Sequence, residues 1–476
     1  MSRNEQQEFT RLEGFAFLLA VIGIQLSSEL LAQWGTYFYS PTLGTGRIVY
    51  VAIGLVAIIF VTGCVFDAVT DPLVGMWSDK TAEKRVRWRV ALIQGRRRPF
   101  IFWGSLGMTL TSILFWFPPL AHESVINLVY GTVVICAHWF FFTLCNIPLL
   151  ALAPEVALSK QGRVRLGAWI AAGMTLGLAL AIALPGPLIE ILDPARVAAK
   201  AAGDAPVHSA LGYQRVAILY ALCSLACFQF MVFTVRERFM PEAHTPATAP
   251  FRDFRRALNN PVFRRYIVIF GFFYIGYLAV QRILPYWAEA GLGGDESTVT
   301  LLAAPFMVSC LLSALATPFF AARINLKWLA AAALGIVTVG LPFVYVIGML
   351  PFSSDVRLRL GVVLFATVGI GQGLIYVLQT PLIGEIIDLD EQSSGKRREA
   401  IFNSVHTFMV KMAQALSIGV ATGSMHFFGN SASRPTGIFL VGPLGGMLAL
   451  VGLVTAFTYP ILNPVRATAR PERLER

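Results

Sequence analysis

Long apolar runs alternate with short polar interruptions along the whole chain. The run "IVYVAIGLVAIIFVTGCV", opening at Ile48, holds eighteen residues without a charge. That is long enough to cross a hydrocarbon core as a helix. Twelve such runs are read, at 13–39, 48–77, 100–120, 124–153, 166–192, 216–235, 266–289, 299–321, 328–349, 360–386, 400–428 and 437–461. A spanning barrel would show shorter segments of alternating polarity instead, so the pattern predicts an all-α membrane protein with twelve transmembrane helices.

Composition agrees. The chain has 476 residues, 56% hydrophobic and 14% charged, with a mean hydropathy of +0.65. A soluble domain carries about 25% charged residues. The net charge of +11 would suit a nucleic-acid partner, but its distribution argues for a bilayer instead. Twelve spans put 29 Lys and Arg in the loops on the side of the two termini and 7 in the opposite loops. Arg282 and Lys411 within spans complete the 38. The basic side is expected to be cytoplasmic, and with it both termini. The first apolar run follows a polar segment, is too long for a signal core and lacks a cleavage site, so no cleaved leader is expected. The six cysteines all lie in apolar segments and read as reduced, buried residues without metal-ligand spacing.

The longest connection on the basic side is 236–265, "RERFMPEAHTPATAPFRDFRRALNNPVFRR". It separates an N-terminal six-helix half, 1–235, from a C-terminal one, 266–476. An internal repeat supports the division. "IPLLALAPEVALSKQGRVRLGA" from Ile147 matches "TPLIGEIIDLDEQSSGKRREAI" from Thr380 at a constant offset of 233. Pro148 falls on Pro381, Leu149 on Leu382, Glu155 on Asp388, Gly162 on Gly395, Arg163 on Lys396 and Arg165 on Arg398. Parallel six-helix repeats build the major facilitator fold.

Ionisable residues inside spans are costly and mark function or a partner. Asp67 and Asp71 lie one turn apart on one face of the second span. Two charged carboxylates there repel, so one holds a proton or a cation lies between them. Either state suits a coupling-ion site for Na+ or H+, and Na+ would use Asp67 and Asp71 as metal ligands, with Thr70 adding an oxygen. Alternatively Asp71 caps a helix break, and Pro72 loosens the helix. Lys411 stands alone in "FMVKMAQAL" and needs an acidic partner, first of all Asp67 or Asp71; the alternative is snorkelling to an interface. Asn403, Thr407, Lys411 and Gln414 form a polar stripe that serves either a site or helix packing. Arg282 can reach a substrate or pair with Glu29 or Glu289. Gln25, Gln372, Gln379 and Asn146 suit hydroxyl recognition or interhelical bonds, and His138 and His406 carry weaker signals.

Three motifs carry a resemblance. "DAVTDP…VGMWSDKT…GRRRPF" at 67–100, "NIPLLALAPE" at 146–155 and "DLDEQSSGKRREAIFNSVHTFMVKMAQAL" at 388–416 resemble signatures of the glycoside–pentoside–hexuronide:cation symporters, the melibiose-permease group of the major facilitators. They cover about a fifth of the chain. The resemblance implies that Asp67, Asp71 and Thr143 belong to a cation site and that Lys411 links it to the substrate site. It also marks departures. Thr70 stands where the group has an asparagine that helps sodium. Gln25, Asn146, Leu150 and Ala171 replace sugar-binding residues.

The expected function is cation-coupled symport of a sugar or glycoside by alternating access, in the inner membrane, with no cofactor beyond the coupling ion. Substrate contacts are expected from Gln25, Asn146, Arg282, Gln372, Gln379 and Thr407. A carrier of a lipid-like amphiphile such as a lysophospholipid is the alternative. The chain is expected to be a monomer in the lipid bilayer without a nucleic-acid partner. The basic insertion "TAEKRVRWRVALIQ" at 81–94 is expected to lie on anionic headgroups or to form a solvated or gate-bracing loop. Walker motifs, metal clusters and nucleophile–base sets are missing, which disfavours an enzyme or an ATP-driven pump. A receptor or assembly factor would need a soluble sensing domain or a degraded ion site, and the sequence shows neither.

Overall fold

The computed structural model describes residues 9–80, 95–203, 207–237, 255, 257–395 and 398–460. The insertion at 81–94, most of the central connection and Lys396 of the repeat lie outside them. The described chain folds into helices α1 (Arg11–Tyr39), α2 (Ile53–Lys80), α3 (Arg98–Leu114), α4 (Val125–Val156), α5 (Lys160–Ala183), α6 (Pro185–Leu192), α7 (Pro194–Ala202) and α8 (Leu211–Thr234). Then follow α9 (Pro261–Arg282), α10 (Leu284–Ala290), α11 (Glu296–Ala321), α12 (Leu326–Gly340), α13 (Phe343–Met349), α14 (Ser354–Ser394), α15 (Glu399–Phe428) and α16 (Thr436–Thr458). Among the described residues ten segments are long and apolar enough to cross a membrane, with α12 and α13 taken as one. The shorter α3 and the polar-striped α15 make the long helices twelve, as the apolar runs predict.

Local chemistry sets the ends. Thr10 and Glu13 form a capping box that starts α1. Ser124, Ser159 and Asn260 accept backbone N–H groups at the starts of α4, α5 and α9. Asp193 caps α7, Pro194 follows it, and Gly203 closes the helix at a φ of +74°.

Three of the expected spans are interrupted and not single helices. The runs 166–192, 266–289 and 328–349 are each two helices, parted before Pro185, Pro285 and Pro342. A proline has no N–H for the carbonyl four residues back, and its ring crowds that carbonyl. The break before Pro285 frees the Gln281 carbonyl, and Gln33 of α1 donates to it at 3.5 Å. By contrast α2 runs unbroken through Pro72, so Asp71 does not cap a helix break. The short α7 answers no apolar run.

Two groups of helices form. In the first half α1 packs on α5 and α8, α2 and α3 on α4, and α3 on α8. In the second α11 and α12 pack on α14, and α9 and α12 on α16. In lipid, such contacts rest on close packing of small residues. At Gly373 of α14 an added Cβ would lie 2.1 Å from the Cys310 carbonyl of α11. The two halves meet chiefly through α2 against α15, and through α5 and α6 against α11. The repeat shows in three dimensions: Pro148 lies within α4 and Pro381 within α14, each followed by a buried leucine, Leu149 and Leu382.

At the end of the bundle away from the termini, an aromatic cluster fills the first half. Phe38 packs on Trp116 with ring centroids 4.9 Å apart, and Trp116 stacks on Tyr213. At the termini end, the Glu237 carboxylate accepts the N–H groups of Arg96, Arg97 and Arg98 at 2.5–2.7 Å. Glu155 receives Arg96 and Arg97 side chains at 2.8 Å. These bonds fix the entry to α3, and they explain the basic "GRRRPF" run as bracing.

Candidate functional site

The pairing of α2 with α15 brings the intramembrane charges together. Lys411 Nζ lies 2.6 Å from Asp67 Oδ2 and also pairs with Asp71 Oδ2. Thr143 of α4 donates to one or other carboxylate, its Oγ1 being 3.0 Å from both Asp67 Oδ1 and Asp71 Oδ1. The ammonium thus sits between two carboxylates that would otherwise repel. Asp67 and Thr143 are buried, and bonds between charged groups strengthen away from water. Lys411 therefore has both acidic partners that its isolation in the span called for. Thr70 is buried beside them, but its hydroxyl donates to its own helix, to the Asp67 carbonyl at 3.2 Å.

This cluster borders a cavity of about 360 Å³ between the halves. Its walls come from α1, α2, α4, α15 and the end of α9. Among the residues expected to touch substrate, Arg282 and Thr407 line it. Gln25, Asn146, Gln372 and Gln379 lie outside its lining. Gln372 is buried in α14, and Gln379 donates to the Tyr274 hydroxyl across to α9. Of the polar stripe, Thr407, Lys411 and Gln414 face the cavity, whereas Asn403 is exposed and donates to the Glu399 carbonyl. His406 lines the cavity and bonds the Tyr266 hydroxyl at 3.2 Å. His138 is fully buried against Ser112 instead.

Arg282 donates to the Ala32 carbonyl of α1. Glu289 is not its partner, contrary to one expectation, because Glu289 already holds Arg47 at 3.0 Å and the Tyr37 hydroxyl at 2.7 Å. That contact belongs to a second cluster, at the end of the bundle away from the termini, which sequence reading missed. Buried Glu296 of α11 accepts Arg47 at 2.7 Å, Arg196 at 2.6 Å and the Tyr213 hydroxyl at 2.9 Å. Arg196 also meets Asp295 at 2.6 Å. Beside these, Leu43 pairs with the 430–432 backbone, and Tyr286 donates to the Ser40 carbonyl. Each of these contacts joins the first half to the second, so this end of the cavity is shut. No sequence signal marked Arg47, a lone arginine in a short loop. Glu29 and Trp139 also line the cavity; Glu29 was noticed only as a partner for Arg282.

The family model for "MFS/sugar transport protein" matches residues 16–463. The chain belongs to this family. It is a multi-pass membrane transporter and not an enzyme. The inner membrane symporter YicJ of Escherichia coli (strain K12) is 23% identical over 404 residues, 83% of this chain and 77% of YicJ. The sodium-dependent lysophosphatidylcholine symporter 1 of Homo sapiens is 25% identical over 438 residues, 85% of this chain and 76% of that protein. A crystal structure of a bacterial homolog of the human lysosomal transporter Spinster, inward-facing and unoccupied, superposes with a TM-score of 0.60. That match covers 95% of both chains at 12% identity and shows the shared fold.

Proposed function

We propose that the chain is a cation-coupled symporter of a sugar or glycoside, working as a monomer in the inner membrane by alternating access. The observation that carries this reading is Lys411 held between Asp67 and Asp71 with Thr143 on the wall of the central cavity. Two carboxylates and one ammonium leave a net charge of −1, which one monovalent cation neutralises. Na+ or H+ entering beside Asp67 and Asp71 weakens their hold on Lys411, and the freed ammonium can then turn to the substrate. Such coupling is reciprocal: substrate must tighten cation binding by the same factor. The family description and the symporter names of the relatives support the reading. The basic loops favour cytoplasmic termini, and with that orientation the shut end of the cavity faces outward.

The test is uptake of labelled glycosides into proteoliposomes under an imposed sodium or proton gradient. Wild type should accumulate substrate, and Asp71→Asn should lose accumulation. Full accumulation by Asp71→Asn would remove the assignment. A lysophospholipid cargo is the second reading. It is favoured by apolar cavity walls at Phe60, Ile135, Phe142 and Val410 and by the name of the human relative. Cation-dependent thermal stabilisation by lysophospholipids, with none by glycosides, would select it.

A further inference from the structure

The wall of the central cavity carries two charged residues that the cation site does not use, Glu29 of α1 and Arg282 at the end of α9. We propose that Glu29 and Arg282 form a second polar subsite that selects a substrate without net charge, a neutral glycoside whose hydroxyl groups bridge the carboxylate and the guanidinium. The inference rests on the symport reading above and deepens it.

Position comes first. Ala32, whose carbonyl holds Arg282, lies three residues after Glu29, so both belong to one face of α1. Arg282 crosses from the second half to reach it. Among the described residues the Glu29 carboxylate has no hydrogen-bond or ion-pair partner, although it lies within a membrane helix. Burying such a group unpaired is costly, so a ligand that donates to it is favoured. A carboxylate accepts hydroxyl protons, and a guanidinium donates to hydroxyl oxygens. A polyol can use both at once. Trp139 lines the same cavity and supplies apolar ring surface against which a sugar can pack. The volume of about 360 Å³ falls at the small end of ligand sites, where a lipid tail would have to leave through the wall.

Charge comes second. Glu29, Asp67 and Asp71 oppose Lys411 and Arg282, with His406 counted neutral, so the cavity group carries one net negative charge. One coupling cation brings it to zero. A uronide or an aminoglycoside would then leave an unbalanced charge in a medium of low dielectric, which is unfavourable.

The experiment measures cation-dependent thermal stabilisation of the purified full chain. The probes are methyl glucoside, galactoside and xyloside, methyl glucuronide and galacturonide, methyl glucosaminide, and lysophosphatidylcholine. Wild type should prefer neutral glycosides to their charged counterparts by about tenfold or more. Glu29→Gln makes the loaded cavity positive and should shift preference towards the uronide by about tenfold. Arg282→Gln makes it negative and should shift preference towards the glucosaminide by a similar factor. Glu29→Asp and Arg282→Lys keep the charges and should keep the wild-type order. Stabilisation by the cation alone shows that each variant is folded. A uronide bound by wild type as well as its neutral parent would overturn the proposal, as would an unchanged ranking in both neutralised variants or binding of lysophosphatidylcholine alone. Loss of the symport reading has a different signature: Asp71→Asn would keep the cation response.

Discussion

Replacing Glu296 with glutamine should open the cavity at the end away from the termini. The side chain is 2% exposed and accepts two guanidinium bonds and one phenol bond, all from the other half. A hydrogen bond to a charged group contributes about 1.5–3 kcal/mol and a neutral one about 1 kcal/mol. Glutamine keeps the shape and can keep its oxygen towards Arg47 and Tyr213, but its amide nitrogen is a donor and cannot accept from Arg196, so one charged bond of about 1.5–3 kcal/mol is lost. Arg47 retains Glu289 and Arg196 retains Asp295, which places the loss near 2 kcal/mol by the same magnitudes. Because these bonds exist only while the two halves touch at that end, the loss falls on the closed state alone. The equilibrium should shift about 30-fold towards opening. Cys64 lines the cavity and reports the change in a background whose other five cysteines are serine. A membrane-impermeant maleimide applied to intact cells should label Cys64 about 30-fold faster in Glu296→Gln than in the Glu296 parent. An unchanged labelling rate with a lowered melting temperature would refute the argument, since the cluster would then hold the fold and not a gate.

Lys411→Met removes the internal competitor for Asp67 and Asp71, so the cation concentration for half-maximal thermal stabilisation should fall; an unchanged midpoint would mean that Lys411 does not compete. Gly373→Ala would place a Cβ 2.1 Å from the Cys310 carbonyl and should cost about 1–3 kcal/mol of stability, seen as a lower melting temperature. Gly419→Ala meets nothing within 4 Å and should raise that temperature slightly, because alanine is favoured over glycine inside a helix by about 0.5–1 kcal/mol. At His208, burial and then the Arg47 guanidinium push the imidazole below its ordinary range. The unfolded chain therefore binds more protons just below about pH 6.5, and stability should fall as pH drops through that window. His208→Gln should flatten that part of a melting-temperature profile against pH.

The architecture was legible because lipid imposes it. A span must be long and apolar, and charge in the loops counts sides, so the twelve runs could be read without any contact being known. The breaks at Pro185, Pro285 and Pro342 were written in the sequence too, but proline in a membrane helix is ambiguous. Pro72, Pro148 and Pro381 sit inside unbroken helices, and only tertiary packing decides which carbonyls find other donors. Lys411 was legible for an energetic reason: a single ammonium deep in a span must find carboxylates, and two stood one turn apart on α2. Amides give no such constraint. Gln379 satisfied by Tyr274 and an amide awaiting a sugar look identical in sequence. The Arg47, Arg196, Glu289 and Glu296 cluster was hidden because its members come from loops and helix ends far apart in the chain, each unremarkable alone.

The two charge clusters share a property that bears on coupling. Lys411 crosses from the second half to the first at mid-depth, and Arg47 and Arg196 cross from the first half to the second at the shut end. In the proposed cycle both sets of bonds must be exchanged as the halves rock, so neither can be much stronger than what replaces it. At mid-depth the replacement is the coupling cation, which takes over the charge of Asp67 and Asp71. At the shut end the replacement is water, which reaches Arg47 and Glu296 only when the halves part. Buried ion pairs suit that use because their Coulomb attraction is largely offset by the hydration they give up. An apolar seal of similar area would lack this compensation, since opening it would expose surface that water does not stabilise. In that cycle a gate built from Arg47, Arg196 and Glu296 would hold the halves together by specific bonds and open at modest cost.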